Sequence, residues 1–308
     1  MPLPRRRKDE IRLRVPCSTS NVGPGFDAFS IALNAYLTVS WRPAEKTTLT
    51  RHGALAESLL SAGRDPVLRG MRRASILAGQ PLPPGELLVD GDFPPGRGLG
   101  ASGSGLVAGL LLGNRLCGER ISEDELLIEG IELEGNPENA VGALFGGAHW
   151  SIETKRGEWR HIPVVLHRDL RFLIVVPPYP LETKRSREVL PTSVGFGRAM
   201  RQAHRTPVLL EGLRLLDPEL IAAGIQDELH ITPRLKLLTG ASGLLDYATN
   251  NGALGATLSG AGSGLLIVTR MQDAMALEKR LASRVKRLWG KSGHVLSTKL
   301  EPKGAAFI

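Results

Sequence analysis

The sequence predicts an α+β fold in two domains, and three observations point to it. Apolar runs of strand length, such as Phe172–Val176 and Leu265–Thr269, are bounded by glycine and proline. Longer segments between the strands carry helix start signals, among them Ser122 placed three residues ahead of Glu125. The chain has 308 residues, 42% hydrophobic and 23% charged, a globular balance with enough length for two cores of ordinary size.

In order, Arg12–Val15 reads as a strand running into Pro16–Phe26, a loop rich in small residues. Ile31–Trp41 reads as a second strand region, alternating near its end. Leu87–Val89 is a short strand stopped by Asp90-Gly91-Asp92 and Pro94-Pro95. Leu106–Leu116 is expected to form a mostly buried helix closed by Gly118. The next helix starts at the Ser122 capping box and runs to about Glu134. Asn136-Pro137 then reads as an N-cap with proline at the first helical position. Phe172–Val176 is a buried strand closed by Pro177-Pro178. Helices are expected near 197–216 and 218–239. Ala256–Ser259 and Leu265–Thr269 are strand pieces around a glycine loop, and Ala274–Arg287 is a last helix. A new strand begins after Val164–Arg168, which sets the expected domains at 1–165 and 166–308.

Composition narrows the function classes. The longest apolar run, Leu106–Leu112, is interrupted by glycine and far short of a membrane span. Met1–Glu10 is basic without an apolar segment behind it, so no secretory signal is expected. Cys17 and Cys117 are the only cysteines, too few for a disulfide framework or a zinc site. A cytoplasmic protein is the default. The net charge of +8 favours anionic partners such as nucleotides. Nucleic acid is not expected: only 5% of residues are aromatic, and the basic residues are scattered apart from Arg5-Arg6-Arg7-Lys8.

The most informative segment is Pro94-Pro95-Gly96-Arg97-Gly98-Leu99-Gly100-Ala101-Ser102-Gly103-Ser104, directly ahead of a helix. Small residues let backbone approach a ligand, and the first N–H groups of a helix are free to meet an anion. Ser102 and Ser104 add hydroxyls. Gly98-x-Gly100-x-x-Gly103 also matches the dinucleotide fingerprint formally, but Pro94-Pro95 stands where its strand should end. Gly290-Lys291-Ser292 has the tail of a Walker A loop, with Val285 where its first glycine is required. A second small-residue loop, Leu258–Gly264, is weak by itself.

Taken together, three segments resemble the motifs of the GHMP kinases, in the family's order. Pro16–Asp27 is similar to the homoserine kinase signature that ends Gly-Phe-Asp, and Arg97–Ser104 is similar to the loop that holds the ATP phosphates. Ser259, Gly260, Ala261 and Gly262 open the third. Thr183–Pro191 and Gln226–Arg234 resemble two further homoserine kinase segments. The resemblance implies an N-terminal ATP-binding domain like ribosomal protein S5 and a ferredoxin-like C-terminal domain. It implies ATP as phosphoryl donor, Mg²⁺ as cofactor and homoserine as acceptor, and leaves room for a homodimer. Another small alcohol, such as threonine or mevalonate, is the alternative acceptor.

Such an enzyme must hold Mg²⁺, position the hydroxyl and offset charge on the transferred group. At about 100° per residue, Leu127, Ile131 and Glu134 share a helix stripe while Glu129 and Glu132 fall opposite. Glu134 is therefore expected to point inward, and the resemblance assigns it to Mg²⁺ with Ser102 as the hydroxyl ligand. Arg187 and Arg234 suit a carboxylate, which arginine grips with a rigid fork. Asp27 and Glu138 are candidates for the ammonium, Asn21 and Asn139 for orienting the hydroxyl or the γ-phosphate, and Thr183 for standing near the phosphate. Asn21, Asp27 and Asn139 are the expected catalytic set. Catalysis is expected by positioning, with Asp27 as base the alternative, and His230 is read as structural. The chain departs from the family pattern at Asn136-Pro137-Glu138-Asn139, Ala101-Ser102 and Gly262-Ser263-Gly264.

Overall fold

Two antiparallel-rich sheets organise the protein in a computed structural model that describes residues 9–56, 61 and 63–308. The Arg5–Lys8 cluster lies outside the described residues. The first sheet is built from β1 (Ile11–Ser20), β2 (Phe29–Pro43), β3 (Thr48–Gly53), β4 (Gly85–Gly91), β5 (Ala148–Lys155) and β6 (Glu158–Pro163). Helices α1 (Pro66–Ala78), α2 (Ala101–Leu116), α3 (Glu123–Glu134) and α4 (Pro137–Phe145) belong to the same half of the chain. β2 pairs with β1 and is long enough to serve two further partners: Phe29–Ile31 pair with β5, and Leu37–Pro43 with β4.

The second sheet contains β7 (Leu170–Val176), β8 (Gly255–Leu258), β9 (Leu265–Arg270) and β10 (His294–Thr298), in the order β10-β7-β9-β8. Its helices are α5 (Thr183–Glu188), α6 (Phe196–Leu215), α7 (Pro218–Gly224), α8 (Ile231–Leu235), α9 (Ala241–Asn250) and α10 (Met271–Trp289). Both faces of β7 are covered. Leu173 and Val175 join a core with α9 and α10, while Phe172, Ile174 and Val176 join the core that includes Leu209 and Ile221. Double burial is why this strand is a continuous apolar run instead of an alternating one. The chain then returns: a short β11 (Ala306–Phe307) pairs with β1 at the edge of the first sheet.

Four expectations need correction. The loop read from Pro16 opens only after Ser20, because Pro16–Ser20 continue β1, paired with β2. The helix read at 218–239 is two helices, because Asp227 turns the chain: its Oδ1 accepts the N–H groups of Leu229, His230 and Ile231. The helix read from Leu106 begins at Ala101, so Ser102–Ser104 form its first turn. Glu129 does not face solvent; α1 packs on that flank, and Arg73 Nη2 donates to Glu129 Oε1 at 3.0 Å. No helix among the described residues is long and apolar enough to cross a membrane.

Candidate functional site

A cavity of about 500 Å³ opens where the two sheets' loops meet, a volume suited to a nucleotide-sized ligand. Ser18, Thr19 and Ser20 end β1 and Asn21 follows, all buried, with Ser20 and Asn21 lining the cavity. The Gly98 loop lies against this strand end, with Ser18 N–H donating to Leu99 O at 3.3 Å. The third loop clamps both. Gly260 N–H donates to Ser20 O at 2.8 Å, and Ser259 Oγ donates to Gly98 O at 2.7 Å. A Cβ added at Gly98, where φ is +67°, would stand 1.7 Å from Ser259 O, so only glycine lets these loops touch.

Helix α2 starts from this junction. Its N-cap is Gly100, and no side chain caps the N–H groups of its first turn. They remain available to an anion at the positive end of a 16-residue helix. Pro95, Gly96, Gly98, Leu99, Gly100, Ala101 and Ser102 line the cavity; Pro94, Arg97, Gly103, Ser104 and Ser259 do not. Arg97 is spent elsewhere, since its guanidinium donates to the carbonyls of Pro95, Pro177 and Pro178. Ser104 Oγ donates to Pro16 O at 2.9 Å, which corrects its reading as a hydroxyl of the cradle.

Glu134 ends α3 beside that turn and does point inward. Burial pushes its carboxyl above the usual range, while a hydrogen bond from Ser102 and the charge of Arg69 pull it back. Glu138, on the first turn of α4, is 1% exposed and its Oε2 has no hydrogen-bond partner. Burial first, then the negative charges of Asp27 and Glu134, push its carboxyl up to about 7. A buried, unsatisfied carboxylate oxygen calls for a proton or a cation. The Glu134 carboxylate and the Ser102 hydroxyl, at an uncapped helix start, are hard oxygen donors of the kind Mg²⁺ takes together with phosphate oxygens.

Two arginines approach from the second half of the chain. Arg187 Nη2 donates to Asp27 Oδ1 at 2.6 Å and to Asn136 Oδ1 at 2.5 Å. Arg234 is 1% exposed, and burial first and Arg187 next lower its guanidinium to about 10. It donates to Ser186 O and Gly260 O, and from Nη1 to His230 Nδ1 at 3.1 Å; Nη2 makes no hydrogen bond among the described residues. The Phe26 ring carries both cations, with the guanidinium carbons 5.5 Å and 5.1 Å from its centroid. Asp27 N–H donates to Asn21 Oδ1 at 2.7 Å, and both residues hold positive φ, +57° for Asn21 and +53° for Asp27. Side chains rarely adopt that conformation, and it concentrates at functional loops.

Of the residues expected from the sequence, Asn21, Glu138, Asn139, Thr183, Arg187, Arg234, Glu134, Ser102 and Gly260–Gly262 line this one cavity, and Asp27 joins through Arg187. Asn139 Oδ1 accepts from Ser18 Oγ at 3.1 Å. Sequence reasoning missed Phe26, whose ring contacts are long-range. It also missed Arg51, Arg64 and Arg69, which line the cavity together with apolar Leu37, Leu55 and Val89. Asp65-Pro66 was the available signal there: Asp65 caps α1 by accepting Leu68 N–H at 3.0 Å, with proline at the first turn.

Comparison with known proteins follows the same lines. The sequence model of the GHMP kinase N-terminal domain matches residues 67–147. A homoserine kinase of Picosynechococcus sp. is 32% identical over 285 residues, 91% of this chain and 92% of that protein. One from Desulfitobacterium hafniense is 29% identical over 305 residues, 97% of this chain and 100% of that protein. The crystal structure of homoserine kinase from Cytophaga hutchinsonii superposes with a TM-score of 0.81 over 100% of both chains at 23% identity.

Proposed function

This chain belongs to the homoserine kinase family of the GHMP kinases, and from that premise we infer that it transfers the γ-phosphoryl group of ATP to the hydroxyl of L-homoserine, giving O-phospho-L-homoserine for threonine biosynthesis. The fold is that of the GHMP kinases. The observation that carries the substrate reading is the placement of Arg187 and Arg234 over one aromatic ring in the same cavity as the uncapped start of α2.

The roles proposed for the residues follow from their chemistry. The N–H groups at the start of α2 and the Gly96–Ala101 backbone receive the ATP phosphates. Arg51, Arg64 and Arg69, beside apolar walls, suit the rest of the nucleotide. Mg²⁺, when bound, neutralises phosphate charge, and Glu134 with Ser102 would hold it. The free Nη2 of Arg234, supported by Arg187, receives the amino-acid carboxylate. The unsatisfied Glu138 carboxylate suits the ammonium, and Asn21 and Asn139 orient the acceptor oxygen. Asp27 is tied up by Arg187, a poor arrangement for a base, which supports catalysis by positioning and charge stabilisation.

We propose the division 1–165 and 166–308, S5-like and ferredoxin-like, with Ala306–Phe307 lent back to the first sheet. A cytoplasmic setting is proposed with it. The test is an ATP-coupled assay of L-homoserine, threonine, mevalonate and galactose. Turnover of homoserine alone or in strong preference supports the reading; preference for another alcohol moves the enzyme elsewhere in the family.

A further inference from the structure

A buried chain of polar groups runs from α6 to the cavity, and the roles given so far do not use it. Gln202 sits on α6 and is 7% exposed. Its Nε2 donates to Asp227 Oδ2, and its Oε1 accepts the N–H of Glu228 at 3.2 Å. The Asp227 side chain is fully buried. Its Oδ1 accepts the N–H groups of Leu229 at 2.9 Å, His230 at 2.7 Å and Ile231 at 2.9 Å, fixing the turn that begins α8. His230 continues the chain, with Nδ1 3.1 Å from Arg234 Nη1 and Nε2 2.9 Å from Gly23 O. A guanidinium can only donate, so Nδ1 is the acceptor and the ring proton resides on Nε2, where it donates to Gly23 O. Asp227 Oδ2 lies 3.6 Å from that same Nε2.

Resting on the homoserine reading above, we propose that Asp227 is a positioning residue for substrate binding. Through the turn and the neutral His230 ring it holds the Arg234 guanidinium by Nη1, which leaves Nη2 toward the cavity for the substrate carboxylate. Long, flexible arginine needs such an aim, all the more beside a second cation, Arg187. The neighbouring Glu228 supplies an internal comparison. It ties the same loop to α6 through Arg201 and Arg205, yet contacts neither His230 nor Arg234.

The test is steady-state kinetics with homoserine and ATP varied separately, plus thermal unfolding, on Asp227→Asn, His230→Gln, His230→Asn and Glu228→Gln. Asp227→Asn turns a donor toward Gln202 Nε2 and removes the charge beside the ring. His230→Gln keeps a donor for Gly23 O but places no acceptor at the Nδ1 position, leaving Arg234 Nη1 only Gly260 O at 3.5 Å. His230→Asn keeps that acceptor. The first two should raise the homoserine KM by about tenfold or more with the ATP KM within about twofold. His230→Asn should keep the homoserine KM within about threefold, and Glu228→Gln should lower the Tm without moving either KM. An unchanged homoserine KM in folded Asp227→Asn overturns the proposal, as do equal rises in both KM values. If Asp227→Asn does not fold, the two His230 variants decide, and identical behaviour of that pair overturns it. A wild-type enzyme that does not turn over homoserine defeats the function reading instead, which separates the two failures.

Discussion

Replacing Glu138 by glutamine should make the unliganded protein more stable above neutral pH while impairing catalysis. The wild-type carboxyl is 1% exposed, with Oε2 unsatisfied and its titration moved from 4.5 to about 7. In the unfolded chain it ionises near its ordinary value. Between the two values the folded protein binds more protons than the unfolded one, so stability falls as pH rises. The full difference is worth roughly 3 kcal/mol, lost between about pH 4.5 and 7 and constant above. Glutamine does not titrate. The stability advantage of Glu138→Gln should therefore grow by about 1.4 kcal/mol per pH unit across that window and then level off. Guanidinium unfolding at pH 5, 6, 7 and 8, followed by tryptophan fluorescence, measures it. With L-homoserine present the growth should flatten, because an ammonium beside the carboxylate favours its charged form. A pH-independent difference between the two proteins would refute the claim that burial outweighs the nearby Arg187 charge at this carboxyl.

Four further outcomes follow. Arg234→Leu should raise the homoserine KM by roughly thirtyfold or more, the scale for truncating one side of a buried charge contact, and the ATP KM by less than about twofold. Glu134→Gln should lower kcat and raise the Mg²⁺ concentration needed for half-maximal rate, read by Mg²⁺ titration at fixed ATP. Gly98→Ala should destabilise by about 2 kcal/mol or more and raise the ATP KM, since its Cβ meets Ser259 O at 1.7 Å. Gly79→Ala, at φ +61° with nothing within 4 Å of the new Cβ, should cost only about 1 kcal/mol and leave kinetics alone; denaturation compares the two.

The parts of the fold that were legible in the sequence are those decided by neighbours along the chain. The Ser122–Glu125 capping box is present with both of its hydrogen bonds, and the apolar run around Phe172–Val176 is a strand buried on both faces. Glu134 is inward because helical spacing puts it with Leu127 and Ile131. Most of what failed was set by contacts distant in sequence. Glu129 looked solvent-facing until α1 brought Arg73 against it. One failure was local: residues 225–230 looked helical, but Asp227 Oδ1 takes the N–H groups of Leu229, His230 and Ile231 from the helix ladder. Arg97 read as a phosphate ligand, and carbonyls some 80 residues away took it. Phe26 gave no local sign that it would lie beneath two arginines. The loops that form the cavity were recognised by composition, yet how the third loop clamps the second depends on Ser259 and Gly98, which are 161 residues apart.

The measurement that tests the central claim most directly is product formation. The purified chain, given Mg²⁺, ATP and L-homoserine, should release ADP and O-phospho-L-homoserine in equal amounts, with threonine, mevalonate and galactose far poorer acceptors. ADP release that is indifferent to homoserine, or a phosphorylated product only with one of the other alcohols, would contradict it.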